Sequence, residues 1–242
     1  MLCSRHVRVI FANLWHPNPW AVPAVDALAR HDPDVIALAE LAPRKLATVT
    51  RRLRDHPYRL IVPTDRRCHL ALFSRLPMTG AAVVRTGACL DRPFGQARIE
   101  GEHPCTVVFA HTTAPFTPAM AARRNAQIDC ITTAAADVDG PLILLGDLNA
   151  DHSSAPVRRL RAGARLLSPR AGARHHPTWP APLPWRTYDH VLHSADFVAE
   201  DFVTLGARGS DHRPLLATFR LASPASVCAT SATHGTALCR PS

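Results

Sequence analysis

The sequence predicts one α/β domain whose strand ends carry the polar chemistry. Three observations support this. Apolar, β-branched runs at residues 7–13, 34–40, 106–111 and 141–146 read as buried strands, and each ends at or just before a polar side chain. Patterns of helical period separate several of them. The middle of the chain is a series of short strands bounded by Pro, Gly or charge, which suits antiparallel ribbon better than strict βαβ alternation.

In order, the strand at 7–13 ends in Asn13 and leads into a Trp/Pro-rich loop at 14–19. A helix is expected at 23–30, with Pro23 in its first turn. The strand at 34–40 ends in Glu40, and a helix follows from Pro43 to about residue 53. Short strands are expected at 58–62, 70–74, 81–85, 97–100 and 106–111, the last closing on His111. Thr117 can cap a long helix over 118–138, whose stripe is Met120, Ile128 and Ile131 and whose Arg123-Arg124 pair falls on the solvated face. The strand at 141–146 runs into Asp147, Leu148 and Asn149. Side chains alternate along extended backbone, so Asp147 and Asn149 can face one way while Leu148 returns to the core. A short helix at 155–161 follows, with Asp151 or Ser153 as its cap. After a Pro/Arg/His-rich loop at 168–186 come strands at 188–192, 197–205 and 215–221, with Asp189 in the first and Asp211-His212 in the loop before the last. The domain therefore spans 1–221. Residues 222–242, rich in Ser, Ala and Thr without periodicity, read as a disordered tail.

Composition narrows the function. The hydrophobic content of 47% is that of a globular protein, and no apolar run reaches membrane-span length. The first residues lack a secretory apolar stretch, so the expected location is the cytoplasm. Lys45 is the only lysine among 28 basic residues, and the arginines are scattered, so the +9 net charge favours polyanions without choosing one. Seven cysteines, none two or three residues from another, give neither a Cys-x-x-Cys knuckle nor a disulfide framework. They read as buried small hydrophobes in a reducing compartment.

The residues that close the strands are Asn13, Glu40, His111, Asp147 with Asn149, Asp189, and Asp211 with His212. Carboxylates, amides and histidines without cysteine suit a hard cation such as Mg²⁺ or Mn²⁺, with water and a substrate phosphate completing its shell. His190 follows Asp189 and so faces away from it. The His175-His176 pair is expected to be exposed. Trp15, Trp20, Trp179 and Trp185 lie in loops, where they either form a rim that stacks on bases or acyl chains or simply pack loops onto the domain.

Six segments, 9–13, 33–40, 107–111, 142–149, 188–192 and 210–217, occur in an order that resembles the endonuclease/exonuclease/phosphatase superfamily, the metal-dependent phosphodiesterases of the deoxyribonuclease I-like fold. The resemblance implies a four-layer sandwich of two mixed sheets packed face to face with helices outside. It implies hydrolysis of a phosphate ester, most readily a phosphodiester of nucleic acid, with a phospholipid or small-molecule phosphodiesterase as the alternative. A non-catalytic phosphate-binding module is the reading from another class. The implied metal set is Glu40 with Asn13 beside it, and Asp211 directly or through water. The implied catalytic set is Asp147 to orient or deprotonate water, Asn149 to hold nucleophile or phosphate, Asp189 paired with His212, His212 to stabilise the transition state, and His111 as a second donor to phosphate. A monomer without a stable protein partner is expected. Ala39 stands where many relatives have Gln, and the stretch between Ala97 and His111 is too short for the insertions some nucleases use to grip DNA.

Overall fold

The computed structural model describes residues 6–169 and 176–222. His175 and nearly all of the expected tail lie outside them. The elements in chain order are β1 (His6–Asn13), α1 (Ala21–Ala29), β2 (Val35–Leu41), α2 (Pro43–Arg52), β3 (Tyr58–Pro63), β4 (His69–Ser74), β5 (Met78–Val84), β6 (Phe94–Ile99), β7 (Cys105–His111), α3 (Pro118–Ala136), β8 (Leu142–Asp147), α4 (Ala155–Gly163), β9 (Asp189–His193), β10 (Phe197–Thr204) and β11 (Leu215–Leu221). One sheet has the order β10-β11-β1-β2-β4-β3 and the other β5-β6-β7-β8-β9. Each is mixed: β1 runs parallel to β2 and β7 parallel to β8, while the remaining pairs are antiparallel. No helix among the described residues is long and apolar enough to cross a membrane.

Strand parity explains the layering. In β1, Val7, Val9 and Phe11 join Val107 and Phe109 of β7 and Ile143 and Leu145 of β8 in a core between the sheets. The alternate residues face outwards. Ile10, Ile36 and Leu38 pack with Val25, Leu28 and Val49 of α1 and α2. Val108, Leu142 and Leu144 pack with Ile128 and Ile131 of α3 and with Val157 and Leu160 of α4. Central strands are apolar on both faces because both faces are covered. The result is the expected four-layer sandwich.

Some boundaries move. The strands expected at 81–85 and 97–100 are Met78–Val84 and Phe94–Ile99, because their mutual pairing sets their length. β5 is mostly exposed and bulges between Thr79 and Ala82, where Gly80 takes a positive φ of 56°, so it shows little apolar alternation. Thr117 caps α3, its hydroxyl accepting from the Met120 amide at 3.2 Å. The expected cap of α4 is corrected. Ser154 is the cap residue and makes no side-chain cap bond, while Asp151 Oδ1 accepts instead from the amide and hydroxyl of Ser153 in the turn before it.

The β7–β8 pair leaves no room at Gly146. A Cβ there would sit 2.7 Å from the Ala110 carbonyl oxygen of the neighbouring strand. Gly146→Ala should therefore push the two strands apart and cost about 1–3 kcal/mol, as overpacking does. Urea unfolding checks this: the midpoint should fall with the slope unchanged.

Candidate active site

The site is the polar end of the core between the sheets. Asn13, His111 and Asp147 each follow, at a spacing of two, the residues that their strands send into that core. His111 pairs with Asp147 across β7–β8, and Asp147 with Asp189 across β8–β9, so the three lie side by side at one end of the second sheet. Asn13 ends β1 in the first sheet, and its Nδ2 donates across the gap to Asp147 Oδ2 at 2.9 Å.

Glu40 reaches this end by breaking the alternation. Val35, Ala37 and Ala39 face the core between the sheets, so a regular strand would send Glu40 outwards with Ile36 and Leu38. Instead the β2–β4 register shifts between Leu38 and Leu41, and Glu40 adopts a left-handed φ of 54°. Leu41 takes the outward place beside α2, and the Glu40 carboxylate is turned to the site, the use to which bulges beside active sites are put. Glu40 Oε1 accepts from Asn13 Nδ2 at 3.1 Å, and Oε2 from the His16 amide at 3.1 Å.

Asp147 is the hub. Its Oδ2 lies 3.7 Å from His111 Nε2 and 3.7 Å from His212 Nε2, and its Oδ1 accepts from the Asn149 amide at 2.9 Å. His111 Nε2 is also 3.8 Å from Glu40 Oε1. His212 Nδ1 contacts Asp189 Oδ2 at 2.7 Å, which leaves Nε2 facing Asp147. Ser210 fastens this loop: its hydroxyl donates to the Asn13 carbonyl at 2.8 Å and accepts from the His212 amide at 3.0 Å. Leu148 returns to the core as expected. Asn149 takes a left-handed φ of 46°, and its Nδ2 donates to the Thr112 carbonyl.

Electrostatics separate these groups. Burial opposes the charge of Glu40, but His111, the His16 amide and Asn13 outweigh it and hold the carboxyl below its usual range. Burial raises Asp147 and Asp189 adds to this, while His212, His111 and Asn13 pull the other way. Burial lowers His111 despite Asp147 and Glu40. Burial also works against charge on His212, yet Asp189 and Asp147 prevail and its pKa is pushed up to about 10. The arrangement thus sets a carboxylate disposed to accept a proton beside one charged and one neutral imidazole.

The donor set fits a hard divalent cation. Its acids are Glu40, Asp147, Asp189 and Asp211, and among the described residues Asp211 Oδ1 is buried with no hydrogen-bond partner. Asp147, Asp189 and His212 also bring one donor atom each within 4.8 Å of one another.

The model of the endonuclease/exonuclease/phosphatase family matches residues 10–212. The chain belongs to this family. Among solved structures it resembles the endonuclease/exonuclease/phosphatase of Beutenbergia cavernae (20% identity, 91% of this chain and 72% of that one, TM-score 0.74). It also resembles D. rerio TDP2 complexed with single-strand DNA product (16%, 90% and 100%, 0.74) and the human Nocturnin catalytic domain with bound sulfate anion (17%, 90% and 96%, 0.72). At these identities the likeness is one of fold. No curated protein sequence matches the chain.

All eight residues singled out in the sequence lie in the stretch matched to the family. Asn13, Glu40, His111, Asp147, Asp189 and His212 form one contact network. Asn149 joins it through its backbone. Asp211 sits at its border, where Oδ2 accepts from Trp179 Nε1 at 3.3 Å. His190 packs behind, its Nε2 2.9 Å from the Ala150 carbonyl. His176, expected to be exposed, packs on Phe202 with ring centroids 4.5 Å apart. Arg124 is not on a solvated face: its guanidinium reaches back to the Asn149 carbonyl and braces the loop. Sequence reasoning also missed His16 and Ser210. His16, three residues after Asn13 in the same polar loop, carried a weak signal.

In metal-free protein, His212 should remain an imidazolium at pH 8, and its NMR signals should titrate near pH 10. Because its pKa rises on folding, the stability it contributes is complete below about 6.5 and is lost as pH climbs through about 10. Asp189→Asn should move that titration down towards neutrality. Wild-type titration near the ordinary histidine value would contradict the assignment.

Proposed function

We propose that the protein is a phosphodiesterase dependent on Mg²⁺ or Mn²⁺. The observation that carries this reading is the setting of Asp147, a buried carboxylate within 3.7 Å of two imidazoles of unlike charge and hydrogen-bonded to the amide that also holds Glu40. Membership of a phosphoesterase-type family supports it.

Glu40 and Asp211 would hold the ion. Asn13 Oδ1 accepts from the Trp15 amide and Nδ2 donates to both Glu40 and Asp147, so its part is to fix these two carboxylates. When bound, a divalent ion polarises a phosphoryl oxygen and neutralises charge as the ester breaks. Asp147 takes the proton of the attacking water, and the Asn149 turn orients Asp147 through its amide. Asp189 fixes the tautomer of His212, whose Nε2–H donates to a non-bridging phosphoryl oxygen as negative charge grows there. His111, kept neutral by burial, supplies a second donor on the opposite side of Asp147.

Several loops carry exposed aromatic side chains. Trp15, Trp20, Phe116 and Trp185 are exposed in loops, and the Arg186 guanidinium lies 4.1 Å over the Trp185 ring. These faces suit stacking on bases of a nucleic acid. They also suit acyl chains, so a phospholipid diester is the second reading.

The test uses supercoiled plasmid and bis(p-nitrophenyl) phosphate in parallel. With Mg²⁺ or Mn²⁺ the wild type should hydrolyse a diester, EDTA should stop it, and His212→Ala or Asp147→Asn should slow it by about 10²–10⁴-fold. A fully active His212→Ala protein, or no turnover of any diester by the wild type, would overturn the proposal. Plasmid nicking would select nucleic acid. Hydrolysis of the chromogenic diester without nicking would select the phospholipid or small-diester reading. For a nucleic-acid enzyme, binding should also weaken steeply as salt rises.

A further inference from the structure

A second cluster of metal-ligating side chains lies behind Glu40. His16, Glu40 and Cys68 come from three separate segments: the loop after β1, the bulge at the end of β2, and the residue before β4. One donor atom from each lies within 4.8 Å of the other two. His16 Nδ1 is 3.4 Å from Glu40 Oε2, the carboxylate oxygen turned away from Asn13. Cys68 is buried, and burial first, with the Glu40 charge after it, pushes its thiol up to about 12, so it becomes a ligand only by releasing its proton as the ion binds. The hairpin fixes it from behind, as Asp65 Oδ1 accepts from the Cys68 amide at 2.8 Å and Thr64 Oγ1 donates to its carbonyl at 2.8 Å.

The donor chemistry differs from that of the hydrolytic site. Imidazole, carboxylate and thiolate together suit a borderline-soft ion, and a thiolate is a poor ligand for Mg²⁺. Three protein donors with a fourth position left for water is a recurrent zinc arrangement. In a tetrahedral zinc shell adjacent donors are about 3.5 Å apart, so no edge of a cluster that fits within 4.8 Å need shorten by more than about 1.3 Å. The His16–Glu40 edge is already 3.4 Å, so the adjustment falls on the edges to Cys68, met by rotation of the partly exposed His16 and of the Cys68 and Glu40 side chains.

We infer that His16, Glu40 and Cys68 form a second, thiolate-containing site for Zn²⁺ or a similarly soft divalent ion, joined to the hydrolytic site through the two oxygens of Glu40. Oε1 faces Asn13 and His111, while Oε2 faces His16. An ion on Oε2 draws negative charge away from Oε1. Zn²⁺ should therefore weaken Mg²⁺ binding, and Mg²⁺ should weaken Zn²⁺ binding by the same factor. The site makes the enzyme sensitive to zinc. This coupling rests on Glu40 being the ligand proposed above, whereas the second site itself does not.

Cobalt(II) is the probe for the site. Added to the full-length wild-type protein, it should give the intense near-ultraviolet charge-transfer band of a Co²⁺–thiolate bond. Cys68→Ser should abolish that band, and His16→Asn should weaken or abolish it. A wild type without the band, or a Cys68→Ser protein that keeps it, would overturn the proposal. Thermal melts of both variants verify folding, so loss of the band reports loss of the ligand. Calorimetric Mg²⁺ titration with and without Zn²⁺ then reads the coupling: Zn²⁺ should lower Mg²⁺ affinity at least tenfold more in the wild type than in Cys68→Ser, whose remaining loss reports direct competition at the hydrolytic site. Equal sensitivity in the two proteins would overturn the link through Glu40. Absence of the cobalt band with Mg²⁺-dependent hydrolysis intact would refute the second site alone.

Discussion

The Asn13 amide holds the two sheets in register at the end where their polar residues gather. It is buried, and it donates to Glu40 from its own sheet and to Asp147 from the other. Two carboxylates brought this close repel each other, and a shared donor between them lowers that cost. His111 and His212 flank Asp147, and Asp189 secures His212. If β1, β7 or β8 slipped by one residue against its neighbours within its sheet, its inward row would turn outwards and this network would lose its partners across the gap. Packing between the sheets and the geometry of the site are thus one constraint: Phe11, Phe109 and Leu145 fill the space that Asn13, His111 and Asp147 then close.

The chemistry follows from unlike surroundings given to like groups. Glu40 keeps its charge because donors surround it, whereas burial makes Asp147 the better proton acceptor. The two histidines diverge in the same way: the carboxylate pair keeps His212 charged, and burial keeps His111 neutral. Groups of one type driven apart in pKa are a hallmark of acid–base and electrostatic division of labour. Of the five non-glycine residues with left-handed backbone among the described residues, Trp15, Glu40 and Asn149 lie at this end, in two loops and the β2 bulge, as strain at functional sites often does.

Much of this was legible in the sequence, for definite reasons. Runs such as Leu142–Leu145 are buried on both faces, so they stand out without alternation, and polar residues that end them fall at the rim of a sheet. Asn13, His111, Asp147 and Asp189 could be found on that basis alone. Glu40 was found for an incomplete reason: it does end a strand, but only a bulge at Leu38–Leu41 aims it at the site, and pairing with β4 decides that bulge. β5 was misplaced because an exposed edge strand has no buried face to reveal its period. Arg124, Ser210, His16 and Cys68 act through contacts between distant segments, which local pattern does not encode.

On the proposed reading, the two sheets jointly build one cation-binding hydrolytic centre, with Glu40 as the ligand that the bulge delivers. Calorimetric titration of Mg²⁺ into the wild type and into Glu40→Gln tests it most directly, since the replacement keeps the shape and removes the charge. Mg²⁺ affinity should be at least tenfold weaker in Glu40→Gln, about 1.4 kcal/mol or more, with the melting temperature of the metal-free protein little changed. Equal affinity in the two proteins would contradict it.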